Sequence, residues 1–153
     1  MKVLMDIDEN LQEDEVIIHC KSLDGNAQRI YERLKELTRE SKHLVLFKEN
    51  TEYYIPLESI LFFETSDSCI SAHTVDQIYQ TTHRLYELEE MLPGSFMRVS
   101  KSTILNVNHI YSISRNLTAA SEVQFMNTHK QVYVSRYYYK PLKCRLDEKR
   151  MNL

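Results

Sequence analysis

Between Phe96 and Ile110 the chain reads Phe-Met-Arg-Val-Ser-Lys-Ser-Thr-Ile-Leu-Asn-Val-Asn-His-Ile. Arg98, Ser100, Lys101, Ser102, Thr103, Asn106 and Asn108 bring donors and small hydroxyls, and no carboxylate stands among them. Such a set suits an anionic partner that also offers hydrogen-bond acceptors, as the phosphates and base edges of a DNA groove do. Lys101 is a long cation between two small serines, so nothing beside it blocks approach to a groove floor. Phe96, Val99, Ile104, Leu105, Val107 and Ile110 are apolar and can anchor this backbone to a core. A surface strand and turn that merely lacks acid would have the same composition.

The charge distribution favours the anionic partner. The net charge is −3 over 153 residues. Residues 1–92 hold 9 Lys and Arg against 19 Asp and Glu, a balance of −10, whereas residues 93–153 hold 10 against 3, a balance of +7. A basic C-terminal part can neutralise phosphates. An acidic N-terminal part can limit non-specific DNA binding or face a basic partner.

Catalytic chemistry finds little support. An enzyme needs a nucleophile with its base, a metal set or a phosphate-cradling loop. The six His, at 19, 43, 73, 83, 109 and 129, show no recognised ligand spacing to one another, to Cys or to acids. Gly25 and Gly94 are the only glycines, too few for a glycine-rich phosphate loop. Glu87, Glu89 and Glu90 read as the wet side of a helix. No enzyme, metal or cofactor is therefore expected. Cys20, Cys69 and Cys144 are odd in number and unpaired in spacing, which fits reduced thiols in a cytoplasm. No apolar run approaches the ~20 residues of a membrane span, and no signal peptide is expected.

The elements that must position the polar stretch are mostly strands. Short β runs are predicted at 43–47, 52–55, 59–65, 69–74, 77–82, 96–99, 109–114, 122–126 and 131–134, separated by turn residues. A helix capped by Thr82, with Leu85, Leu88, Met91 and Leu92 inward, should end at Pro93-Gly94. A second helix over 135–150 has Ser135 as N-cap and Tyr138, Leu142 and Leu146 on one face; Pro141 should kink it or reset its start. Ahead of these lies an extension, 1–42, predicted as strand (Lys2–Ile7), strand (Val16–Cys20) and helix (26–39). In that helix Ala27, Ile30, Leu34 and Leu37 share a face.

Three spaced blocks, in order, resemble the LytTR family of bacterial DNA-binding domains. The central one is Phe96, Arg98, Ser100, Lys101, Ser102, Ile104, Leu105, Asn106 and Ile110. Upstream, Tyr54-Ile55-Pro56-Leu57-Glu58-Ser59-Ile60-Leu61-Phe62-Phe63-Glu64 resembles the family's opening segment. Downstream, Val134-Ser135-Arg136-Tyr137-Tyr138 and Leu142-Lys143 resemble its closing one. The resemblance implies a mainly β, LytTR-like antiparallel fold with a few short helices at 43–148. The strand–strand–helix extension precedes it, and a tail over 149–153 follows.

The resemblance also implies a sequence-specific transcription regulator that reads successive major grooves of directly repeated half-sites, with two chains on each operator of double-stranded DNA. Carried over by position, Lys101 and Arg136 are the base-reading candidates. Ser68 is a weaker third, because the hairpin that often carries a cation or imidazole in the family reads Ser66-Asp67-Ser68 here. Ser100, Ser102, Tyr137 and Lys140 are phosphate candidates. Arg98 can either pair with a carboxylate as a structural residue or contact DNA, and Asn106 is expected to bond backbone where the strand turns. The extension is too short for the receiver domain many relatives carry, and its Asp6, Asp8 and Glu9 are read as a solvated turn. Standalone proteins resembling this one are often restrained by a membrane-protein inhibitor. The rival reading is a protein-interaction module that uses the acidic extension as its surface.

Overall fold

A computed structural model of the chain describes residues 2, 4–10, 15–37 and 42–151. It divides into two units, 1–39 and 40–153.

The first unit contains helix α1 (Gly25–Leu37). Asp24 caps it: its carboxylate accepts from the backbone N–H of Asn26 (3.1 Å) and Ala27 (2.8 Å). Ala27, Ile30 and Leu34 are half-buried and the residues between them exposed, which agrees with the expected face at those three positions; the Leu37 side chain and residues 38–39 of the expected helix lie outside what the structure describes. Neither expected strand is found among the described residues, Met1, Val3 and part of the intervening turn lying outside them. Leu4, Met5, Ile7, Val16 and Ile17 are all more than 60% exposed. A β run needs a ladder partner for its backbone groups, and Val16–Cys20 has none among the described residues.

Among the described residues the second unit has ten strands in two antiparallel sheets. The strands are β1 (His43–Lys48), β2 (Thr51–Pro56), β3 (Phe62–Ser66), β4 (Cys69–His73), β5 (Ile78–Thr81), β6 (Phe96–Ser100), β7 (Thr103–Asn106), β8 (Ile110–Ser114), β9 (Ser121–Phe125) and β10 (Gln131–Val134). The large sheet runs β2-β1-β5-β4-β3-β7-β6 and the small one β10-β9-β8. Helix α2 (Leu85–Met91) lies between β5 and β6 in sequence, and α3 (Arg136–Met151) closes the chain.

The large sheet is covered on both faces around β3 and β7. On one face Leu44, Leu46, Phe63, Ala72, Phe96 and Ile104 pack with Leu85 and Leu88 of α2. On the other, Phe62, Val99 and Leu105 pack with Val123, Phe125, Val132 and Val134 of the small sheet and Leu142 of α3. Neighbouring residues of a strand point to opposite faces, so Phe62-Phe63 and Ile104-Leu105 each feed both cores. The sequence reading did not mark β7 as a strand. All four of its residues are buried, so it carries no alternation to find.

Three further expectations change. The N–H of Arg84, rather than Thr82, opens α2, donating to Glu87 Oε2 at 3.1 Å. Met91 is 51% exposed, because Leu85, Leu88 and Leu92 form the packed face and Met91 lies off it. And α3 runs unbroken through Pro141. The missing donor would have met the carbonyl of Tyr137, a residue so exposed that solvent can serve it instead. Tyr138, Leu142 and Leu146 do form its packed face.

The two sheets are also joined by polar contacts, at the end where β4 leads to β5. Lys130 Nζ donates to the carbonyls of Thr74 (2.8 Å) and Gln77 (3.1 Å), and Thr128 Oγ1 to that of Val75 (3.2 Å). Beside them His73 is buried and stacked on Phe62, ring centroids 4.2 Å apart. Glu64 Oε1 comes within 3.1 Å of His73 Nε2, yet neither ring nitrogen makes a hydrogen bond, so this is a close approach to a ring that is neutral at neutral pH and not an ion pair. Burial, reinforced by the Lys130 charge, pushes the imidazole down to about 4. The half-exposed Glu64 carboxylate, screened by water, does not offset this.

Candidate nucleic-acid interface

At the opposite end of the sheets the polar stretch forms a turn between β6 and β7. Val99 stands in a bulge between Arg98 and Ser100, and Ser100 pairs again with Thr103 across the turn Lys101–Ser102. Bulges re-aim side chains, and here Lys101 and Ser102 are exposed while Val99 beside them is fully buried. The Ser100 hydroxyl accepts from the backbone N–H of Ser102 (3.2 Å) and lies 3.3 Å from its hydroxyl. The Lys101 ammonium makes no ion pair or hydrogen bond among the described residues.

Arg98 holds this turn. Its Nε donates to the Ser100 carbonyl at 3.0 Å, one Nη to the Lys101 carbonyl, and the other to Glu89 Oε2 of α2 at 3.0 Å. Of the two roles the sequence left open, the structure assigns the structural one. Asn106 is likewise internal: it is buried, its amide donates to the Ile60 carbonyl (3.0 Å), and its Oδ1 accepts from Asn108 N (3.1 Å).

Two main-chain hydrogen bonds bring the other candidates to the same edge. The Thr65 N–H donates to the Ser102 carbonyl (2.9 Å), setting the β3–β4 hairpin beside the Lys101 turn. The Ser135 N–H donates to the Val99 carbonyl (2.9 Å), setting the start of α3 on its other side. Ser68 is exposed in that hairpin, next to Asp67 in the left-handed region (φ 53°), a conformation Asp tolerates. Ser135 takes the N-cap position, its carbonyl accepting from Tyr138 and Tyr139 N–H. Arg136, Tyr137 and Lys140 are exposed on the first turns of α3, Tyr137 at 81%. Farther along, Lys143 lies 3.8 Å from Asp147, and Arg145 meets the Gly94 carbonyl and Glu148, so these cations are partly engaged.

One group here escaped the sequence reading. Arg115, in the loop joining β8 and β9, lies over the Tyr139 ring of α3, 4.9 Å from its centroid. The acid-free run Ser114–Ser121 around it was the only signal in the sequence.

A predominantly antiparallel β frame that presents a cation-bearing edge built from two turns and a helix start defines a class of DNA-binding domain. The LytTr DNA-binding domain family matches residues 50–147, and the chain belongs to that family. An uncharacterized HTH-type transcriptional regulator of Staphylococcus aureus strain NCTC 8325 is 30% identical over 146 residues, covering 95% of this chain and 98% of that protein. The counterpart from strain N315 has the same identity and coverage. Among solved structures, a LytTr DNA-binding domain from Bacillus cereus superposes with a TM-score of 0.64 at 24% identity, over 70% of this chain and 98% of that one, which shows the fold. Strands separate every pair of successive helices in this chain, so its described residues contain no helix–turn–helix despite the relatives' name. Among the described residues no helix is long and apolar enough to cross a membrane.

Proposed function

We propose that this protein is a cytoplasmic transcription regulator that reads two successive major grooves of double-stranded DNA. Lys101 enters one groove and Arg136 the next, with Ser68 as a lesser contact at the hairpin. Ser100, Ser102, Tyr137 and Lys140 hold phosphates and so fix register without specifying sequence. Two chains occupy directly repeated half-sites of one operator. The observation that supports this best is the pair of main-chain bonds donated by Thr65 to Ser102 and by Ser135 to Val99, which align all three candidate segments on one edge.

The test is a mobility shift on duplexes selected from a random library, at several salt concentrations. Affinity should fall steeply with salt as phosphate contacts release counterions. Lys101→Ala and Arg136→Ala should each weaken specific binding by about 1–3 kcal/mol and relax preference at the bases they meet, with Tm unchanged. A salt-independent binding constant, or full specificity in either variant, would reject the reading.

A membrane-protein inhibitor, in this reading, holds the regulator off DNA, which requires higher affinity for the DNA-free form. Its dock is residues 1–42. Co-purification should capture the full chain and lose the 43–153 truncation; equal capture would move the dock to the DNA-binding domain.

A further inference from the structure

The loop 115–120 stands where it can extend the DNA edge. Val134 pairs with Ser121, and Glu122 with Ser114. The loop therefore leaves the small sheet at the same end where β10 passes into Ser135 and α3. The small sheet runs β10-β9-β8, with β10 next to β6. Adjacent strands are about 4.8 Å apart, which sets the loop about 5–10 Å beyond the start of α3, on the side away from Lys101.

Its chemistry fits a phosphate. Residues 114–121 carry one cation and no acid. The loop is ordered from within: Asn116 Oδ1 accepts from Thr118 N (3.1 Å), Thr118 Oγ1 (3.2 Å) and Ala119 N (3.2 Å), while Asn116 N donates to Ser121 Oγ (3.1 Å). Arg98 and Arg145 direct their donors into carbonyls and face carboxylates. Arg115 does neither among the described residues; its contact is the face of Tyr139. A cation–π contact steadies a guanidinium on a ring and leaves N–H donors free for the two parallel hydrogen bonds that grip a phosphate.

We propose that Arg115, steadied on Tyr139, is a fourth point of DNA contact: a phosphate clamp on the flank beyond Arg136. The proposal rests on the DNA-binding reading above and adds a residue outside the family's resembling blocks.

The experiment uses the full chain and a duplex it selects from a random library, with a scrambled duplex alongside, followed by fluorescence anisotropy across salt. Arg115→Ala should weaken both duplexes by the same factor, about three- to tenfold, and lower the salt slope by about one. Arg115→Lys should recover the slope, and trimming the duplex on the Arg136 flank should erase the difference between variant and parent. Arg115→Gln, which keeps the planar head on the ring, supplies the neutral variant if alanine unfolds the loop. Unchanged affinity and slope in a folded neutral variant would overturn the clamp while leaving DNA binding intact. A loss confined to the selected duplex would overturn it too, by making Arg115 a base reader. Failure of the parent chain to bind any duplex would reject the DNA-binding reading itself.

Discussion

Arg98 and Lys130 stand at opposite ends of the same domain, and each drives a cation into two backbone carbonyls. Arg98 fastens the turn that carries Lys101 and ties it to Glu89 of α2. Lys130 fastens the β4–β5 turn and so joins the small sheet to the large one. Arg98 positions a surface; Lys130 closes an interior, and burial lowers its affinity for its proton although Asp76 and Glu64 oppose this. In a domain whose excess of cations lies in residues 93–153, then, positive charge does not by itself mark the interface. The cations whose donors are saturated by protein belong to the frame, and those left open, Lys101, Arg115 and Arg136, face outward.

The interior end should show the largest effects. His73 titrates near its ordinary 6.5 in the unfolded chain but at about 4 in the folded one. Between those values the unfolded state binds the extra proton, so this contribution to stability is complete above pH 6.5 and is lost as pH falls toward 4. The full swing is on the order of 3 kcal/mol. Urea midpoints across this window should fall for the parent and much less for His73→Phe, whose ring can keep the stack on Phe62; parallel curves would show that His73 is not responsible. Next, Lys130→Ala should lower stability by about 2 kcal/mol, because two partly buried carbonyls lose their donor. It should leave DNA affinity of the folded fraction untouched, and a selective loss of affinity would place Lys130 on the interface. Smallest in stability is Arg98→Ala, about 1–2 kcal/mol, but here affinity should fall as well, whereas Lys101→Ala loses affinity alone. Full DNA affinity in Arg98→Ala would mean the turn needs no brace.

What the sequence disclosed follows the same division. Half-buried strands such as Gln131–Val134 alternate in their burial, and their alternation is legible. Strand Thr103–Asn106, covered on both faces, has no such signature. In the other direction, the stretches Lys2–Ile7 and Val16–Cys20 are rich in β-formers, yet their described residues join no sheet among the described residues, because propensity cannot supply a partner strand. At the interface, Lys101 and Arg136 could be picked from residue type and family pattern. Arg98 could not be placed, since its acceptors are carbonyls of its own turn and a carboxylate on α2, whose approach only the fold sets. Arg115 was invisible for a similar reason: Tyr139 is far along the chain, and only the packing of α3 beside the small sheet brings them together.

The bonds from Thr65 to Ser102 and from Ser135 to Val99 involve main-chain atoms alone. Every amino acid except proline brings the same N–H, and all bring the same carbonyl. Positions 68, 101 and 136 can therefore exchange their side chains while the frame keeps its registration. On the proposed reading, in which those three positions meet the bases, the recognised word becomes separable, for a lineage of such regulators or for an engineer, from the machine that holds it. New specificities can be explored at a few tips, with stability nearly indifferent to the choice.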